Sequence, residues 1–306
     1  MIRKVLITGA SGLLGSNLAL DLSPAYDVYG LVHEHRLKTD RFHVLQGDLL
    51  QEGTLPRIVN EVRPDAIIHC AGLTKIDPCE KQPSLAYDLN AALLGRLASL
   101  TSSSDIKLVH ISTAAVFSGD KGNFKEEDPP RPLSVYAETK VAGEQAVSEN
   151  DPRALIARIS IFGWSPSGER SLAEYFFNHL NNDQQVIGFQ DVIFCPLFVN
   201  DLTKIFMDMV ENQLTGTYHV ASTECVSKYE FGCRIADRFG FDQDLIQPGS
   251  VEDVDFLGNR SHNLTLDNQK LQRDLDRSLP DLSTGLDQFY TRYQQGYPQF
   301  IQGMLG

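Results

Sequence analysis

The chain has 306 residues, 42% of them hydrophobic, and a formal net charge of −13. That is enough for one large α/β body or two lobes with a sizeable core, and the acidic balance argues against a nucleic-acid partner. Cys70, Cys79, Cys195, Cys225 and Cys233 are scattered and form no CxxC pair, so neither a metal centre nor a disulfide framework is expected; free thiols of a reducing cytosol are. No apolar stretch approaches the length of a membrane span, and Met1–Ile7 leads into a glycine turn rather than a signal-peptide core. A soluble, cytoplasmic protein with no membrane contact is expected.

In chain order, strands are predicted at Lys4–Thr8, Val28–His33, His43–Leu45, Ala66–Cys70, Lys107–Ser112 and Leu155–Ile161. Amphipathic helices are predicted at Leu13–Leu22, Gly53–Val62, Leu85–Leu100 and Val135–Ser148. Short apolar runs alternating with helices imply an α/β fold, a Rossmann-like doubly wound parallel sheet with its crevice at the carboxyl ends of the strands. After Gly163 the pattern changes: Trp164–Gly168 is a loop and helices then dominate. Residues 1–163 are therefore assigned to a dinucleotide-binding domain, with part of 186–222 returning to it, and 164–306 mainly to a smaller substrate-binding lobe. Within that lobe, Ser227-Lys228-Tyr229-Glu230 reads as a capping box opening a helix over Tyr229–Phe239. The tail from Asp281 carries Phe289, Tyr290, Tyr293, Tyr297 and Phe300 and reads as a terminal helix packing aromatics on the body.

The first chemical motif is Gly9-Ala10-Ser11-Gly12-Leu13-Leu14-Gly15, placed between a strand and a helix. Phosphate oxygens approach backbone amides only where no Cβ intervenes: Gly9 permits the turn, Gly12 the approach, and Gly15 the packing of helix on strand. The end of the second strand selects the cofactor, a carboxylate favouring NAD(H) and cations favouring the 2′-phosphate of NADP(H). His33, His35 and Arg36 favour NADP(H), while Glu34 leaves NAD(H) open. Asp48, followed by Leu49, can accept from the adenine amino group; the alternative is a helix cap.

The second motif is Tyr136-Ala137-Glu138-Thr139-Lys140, preceded by Ser112-Thr113. A phenol titrating near pH 10 is a poor acid–base group at neutral pH, but an ammonium four residues on, on the same helical face, stabilises its phenolate. Lys140 is expected to lower the Tyr136 pKa and to reach the nicotinamide ribose. Thr113, at a strand end, is expected to bond the substrate oxygen.

At these residues the chain resembles the extended short-chain dehydrogenases/reductases over nearly its whole length. Within them it is similar to the dTDP-4-dehydrorhamnose reductase group and to its relative, the regulatory beta subunit of methionine adenosyltransferase. The resemblance is carried by Pro64–Gly72, Thr74–Glu80, Ile111–Gly119, Tyr136–Glu144, Gly216–Val220 and Asn259–Asp267. It implies catalytic roles for Thr113, Tyr136 and Lys140, and a turn at Cys70, Ala71 and Gly72 passing the cofactor. It further implies a sugar pocket at Thr74, Ile76 and Asp77, a structural Asn90, and an arginine near the substrate lobe at Arg260 that serves either as a diphosphate anchor or in a salt bridge within the lobe. The implied partner is a nucleotide-sugar substrate, with a homodimer left open, and the implied activity is reduction of a 4-keto sugar. A regulatory subunit that holds NADP(H) without turnover is the alternative. The chain departs from the reductases at Ala114-Ala115, where they carry Asp-Tyr, at Ser118 and Ala137, and in lacking a pocket tryptophan after the sixth strand. Without an acid at Ala114-Ala115, dehydration is disfavoured.

Overall fold

A computed structural model describes residues 2–306. The first half is wound as β1 (Lys4–Thr8), α1 (Leu13–Leu22), β2 (Asp27–Val32), β3 (His43–Gln46), α2 (Thr54–Val62) and β4 (Ala66–His69). Next come α3 (Ile76–Lys81), α4 (Pro83–Tyr87), a π-helical turn at Asp88–Ala92, α5 (Leu93–Ser102), β5 (Lys107–Thr113), α6 (Val135–Asn150) and β6 (Leu155–Ile159). The second half contains β7 (Ile161–Phe162), α7 (Leu172–Leu180), β8 (Val186–Phe189), β9 (Ile193–Phe194), β10 (Leu197–Phe198), α8 (Asp201–Glu211) and β11 (Gly216–Val220). It continues with β12 (Val226–Ser227), α9 (Lys228–Phe239), β13 (Ile246–Gly249), α10 (Gln269–Asp274), α11 (Leu282–Gln294) and α12 (Tyr297–Gln302).

Seven parallel strands in the order β11-β6-β5-β4-β1-β2-β3 form the central sheet. The fold is thus Rossmann-like, as expected from the strand–helix alternation. Alternation along each strand sends side chains to opposite layers. Leu6, Ile67, Leu108 and Ile156 pack with Leu55, Ile58 and Leu97 of α2 and α5. Val5, Ile7, Ile68, Val109, Leu155 and Ala157 pack with Leu14 and Leu18 of α1, Phe206 of α8 and Phe289 of α11. The second layer continues without a break into Phe162, Phe176 and Phe231 of the second half. The strand order reverses between β1 and β4, which opens a crevice above their carboxyl ends.

Two expectations need correction. The strand expected over Leu155–Ile161 is broken at Ser160: β6 stays in the sheet, while β7 turns away to pair with β10. Helices dominate the second half, with short ribbons between them: β8 pairs with β13 and β9 with β12. That last pairing sets Val226 against Phe194 and brings the adjacent cysteines together. Cys195 and Cys225 are joined as a disulfide with Cα atoms 4.0 Å apart, leaving Cys70, Cys79 and Cys233 free. The expectation of five free thiols fails because partners 30 residues apart are matched by tertiary pairing and not by spacing.

No helix among the described residues is long and apolar enough to cross a membrane.

Candidate active site

The glycine turn lies in the crevice. Gly9 has φ +67°, and a Cβ there would sit 2.8 Å from the Ala71 amide nitrogen, so the turn after β1 and the turn after β4 touch. A Cβ on Gly15 would lie 2.3 Å from the Gly9 carbonyl oxygen, which fixes how closely α1 approaches β1. Gly12 occupies the cap position of α1 with extended backbone and no side-chain oxygen closing the helix end. The first amides of α1 are therefore open to an anion, with Ser11, Leu13 and Leu14 beside them. Across the turn, Thr8 Oγ1 accepts from the Ala71 amide at 3.2 Å, and Thr8 O accepts from the Cys70 amide at 3.3 Å. Asn90, 1% exposed in the π-helical turn, accepts from the Leu73 amide at 3.0 Å and donates to Thr139 at 3.1 Å. It thus fastens the Gly72–Leu73 segment to α6. The cradle fits a dinucleotide: small residues where phosphates need room, and a helix end with uncommitted donors.

His33, Glu34, His35 and Arg36 follow β2 as an exposed bend. His33 Nε2 lies 4.0 Å from Asp48 Oδ2. Asp48 Oδ1 accepts from the Leu50 amide at 2.9 Å, a local turn bond that leaves its other oxygen facing the bend. Leu49 is buried beneath it.

Thr113 ends β5, where its side chain accepts from the Ala115 amide at 3.1 Å and caps the short turn Ala114–Val116. Ser134 caps α6 and so sets the phase of its first turns. Tyr136 and Lys140 then lie one above the other. Burial pushes the Tyr136 phenol up to about 12, with a hydrogen bond to Thr113 acting the other way. Lys140 is 7% exposed, its Nζ donates to the Ile111 carbonyl at 2.6 Å, and burial pushes it down to about 8 against the pull of Glu144 and Cys70. The expected lowering of the Tyr136 pKa by Lys140 is therefore not found. Desolvation of the phenol dominates, and the ammonium is turned to the β5 backbone. What the arrangement offers at neutral pH is a protonated phenol next to a threonine hydroxyl.

A layer of buried charge beneath these residues was missed in the sequence. Glu144 continues the Tyr136–Lys140 stripe by one more turn, and this four-residue spacing was a readable signal. Its carboxylate takes the Ser112 hydroxyl and pairs with Arg158 at 2.7 Å, both partners under 10% exposed. Arg158 in turn stands over the Phe117 ring at 5.0 Å. On the neighbouring strands, His69 and His110 are fully enclosed; burial, then the nearby Lys140 charge, holds both well below the usual imidazole value, His69 at about 3.

Of the expected sugar-side residues, Asp77 and Arg260 meet. Thr74 is exposed, and Ile76 and Asp77 open α3. Arg260 Nη2 donates to Asp77 Oδ1 at 2.8 Å, with the guanidinium over the Phe256 ring at 4.4 Å. Lys228, at the start of α9, lies 5.7 Å over the Phe189 ring. Trp164 does not replace a pocket tryptophan: it is 2% exposed, stacked on Phe289 at 4.0 Å, and belongs to the core.

A parallel sheet whose reversal point carries a glycine turn with open amides, with a Thr–Tyr–Lys set one strand over, is the arrangement of Rossmann-fold oxidoreductases. The RmlD substrate binding domain family matches residues 3–295 of this chain. The chain belongs to that family. It is 30% identical over 286 residues to the probable low-salt glycan biosynthesis reductase Agl14 of Haloferax volcanii, covering 92% of this chain and 95% of that protein. It is 31% identical over 280 residues to methionine adenosyltransferase 2 subunit beta of Pongo abelii, covering 88% of this chain and 82% of that one. Among solved structures, dTDP-4-dehydrorhamnose reductase from Bacillus anthracis in complex with NADP superposes with TM-score 0.84 at 28% identity, over 95% of this chain and 100% of that one.

Proposed function

We propose that this protein is an NAD(P)H-dependent reductase of a 4-keto nucleotide sugar, with NADP(H) preferred and Tyr136 as general acid. The observation that carries the reading is the Tyr136 phenol, held protonated by burial, one helical turn from Lys140 and beside Thr113 at the end of β5. Gly9, Ser11, Gly12, Leu13, Leu14 and Gly15 would hold the pyrophosphate. Cys70, Ala71 and Gly72 would pass the ribose, Asp48 and Leu49 would flank the adenine, and His33, His35 and Arg36 would face the 2′-phosphate. The bound dinucleotide supplies a hydride to a carbonyl carbon.

The residues of the chain do the rest. Thr113 holds the carbonyl oxygen, and Tyr136 passes it a proton as negative charge develops, so hydride and proton together complete the alcohol. Lys140 then stabilises the phenolate left behind, and it reaches the nicotinamide ribose by turning from the Ile111 carbonyl. Thr74, Ile76 and Asp77 line the sugar, and Arg260 anchors the diphosphate from the half of the chain beyond residue 164, which closes over the strand ends. The relatives named as reductases support this reading.

The test is NADPH oxidation with a freshly generated dTDP-4-keto-6-deoxy sugar, and then with other nucleotide keto-sugars. A second reading has its own support in the similarity to methionine adenosyltransferase 2 subunit beta and in Ala114-Ala115 after the threonine: a regulatory subunit that binds NADP(H) and turns nothing over. Tight NADPH binding with no turnover on any keto-sugar would favour it.

A further inference from the structure

The bend after β2 has little to hold it in place. Glu34, His35, Arg36 and Lys38 are exposed, and the Arg36 guanidinium has no hydrogen bond or ion pair among the described residues. Among the described residues, the backbone bonds from Glu34–Lys38 to other segments are two, and both lead to residues 304–306. The Lys38 amide donates to the Met304 carbonyl at 2.7 Å, and the Gly306 amide donates to the Arg36 carbonyl at 3.0 Å. These two bonds bracket an antiparallel bridge between Leu37 and Leu305. Leu37 and Met304 are themselves buried in the main core, 7% and 3% exposed.

The same terminal segment also grips the glycine-turn helix. The Tyr297 hydroxyl donates to Asn17 Oδ1 of α1 at 2.8 Å, and Asn17 donates to the Leu13 carbonyl at 2.7 Å. Arg292 lies over the Tyr297 ring at 4.6 Å and pairs with Asp21 of α1 at 3.2 Å. Residues 297–306 thus span from α1 to the bend after β2.

We propose that residues 304–306 form a positioning strap that fixes the backbone on both sides of Leu37, so that Arg36 is held ready for the 2′-phosphate and the selectivity for NADPH over NADH depends on the strap. An arginine on a free bend must be ordered, backbone and side chain together, when an anion binds. A bend already pinned by two backbone bonds and an apolar bridge has part of that ordering done in advance. The strap touches no phosphate itself; it acts through Arg36. This inference rests on the reading of Arg36 as the 2′-phosphate residue, and the experiment separates the two.

Dissociation constants for NADPH and NADH are measured by calorimetry for the full chain, for a deletion of 304–306, for Gly306→Pro, which removes one donor and leaves the core intact, and for Arg36→Ala with and without the deletion. The deletion should raise the NADPH constant about tenfold, the scale of one charge-assisted hydrogen bond, with NADH changed by less than about twofold. Gly306→Pro should shift the ratio in the same direction by less. In the Arg36→Ala background the deletion should not change the ratio further. Equal weakening of both cofactors, or an unchanged ratio in both the deletion and Gly306→Pro, would overturn the strap. If Arg36→Ala lowers the ratio and strap removal does not, only the strap is wrong. If Arg36→Ala leaves the ratio unchanged, the Arg36 reading fails and the strap fails with it.

Discussion

Arg260 reaches Asp77, Nη2 to Oδ1 at 2.8 Å, and so joins the loop before α10 to the first turn of α3. The two residues are 183 apart in sequence; the family resemblance places Asp77 in the sugar pocket and Arg260 either on the diphosphate or in a salt bridge. A diphosphate arriving at Arg260 competes with the Asp77 carboxylate for the same donors.

Arg260→Ala should therefore weaken binding of dTDP or UDP by about tenfold or more, while Asp77→Asn should tighten it by releasing the guanidinium. Both partners are partly open to solvent, so stability should move by no more than about 1 kcal/mol. Calorimetric titration with the nucleoside diphosphates decides this; unchanged affinity in Arg260→Ala would put the diphosphate elsewhere.

The three residues at the strand end should fail in different ways. Tyr136→Phe should lose about 10²-fold to 10⁴-fold in kcat with NADPH affinity retained, since only the proton is missing. Thr113→Val should lose about 10²-fold to 10³-fold, the scale for one oxyanion donor. Lys140→Ala should lose both turnover and cofactor affinity. Steady-state rates paired with NADPH titrations separate the three, and equal losses of affinity in all of them would mean that they serve only the fold.

The pH dependence follows from Lys140. Burial holds it at about 8 instead of its ordinary 10.5, so it is charged below pH 8 and neutral above. Cofactor affinity should fall as pH rises through about 8, and Lys140→Met should flatten that step. The sign for folding is opposite. Between about 8 and 10.5 the unfolded chain binds the proton that the folded chain has lost, so this group makes stability rise with pH over that window. Denaturant titrations from pH 7 to 10 on both proteins check the second effect.

Cys195–Cys225 closes a loop of 30 residues, for which chain entropy implies about 3–4 kcal/mol of stabilisation. Melting temperature should drop when reductant is added, and Cys225→Ser should melt low with or without reductant. Five reactive thiols in the denatured, unreduced chain would contradict the pairing.

The central sheet was legible because five of its first six strands carry a buried apolar run closed by a turn, and local pattern suffices where both faces are covered; edge strand β3 is the exception. Helix α1 was legible to the residue, Leu13 to Leu22. The small ribbons were not. Phe194 against Val226 and Phe198 against Phe162 pair over two residues each, too short for any periodicity, and tertiary contacts alone hold them. At the site, residue types and spacing placed Thr113, Tyr136 and Lys140 together. The titration of Tyr136 was not legible, since it depends on how much water the fold removes from the phenol. Arg158 was hidden inside a strand, and Glu144 reads as an ordinary helix residue until Arg158 is beside it.

The most direct measurement of the central claim uses NADPH carrying deuterium at the transferring position of its nicotinamide, incubated with a dTDP-4-keto-6-deoxy sugar and wild-type protein. Mass spectrometry of the nucleotide sugar should find the alcohol with one deuterium on the carbon that was the ketone, and Tyr136→Phe should form it far more slowly. Recovery of the ketone unchanged across the panel of nucleotide keto-sugars, with NADPH bound but intact, would contradict the account and leave the regulatory reading in its place.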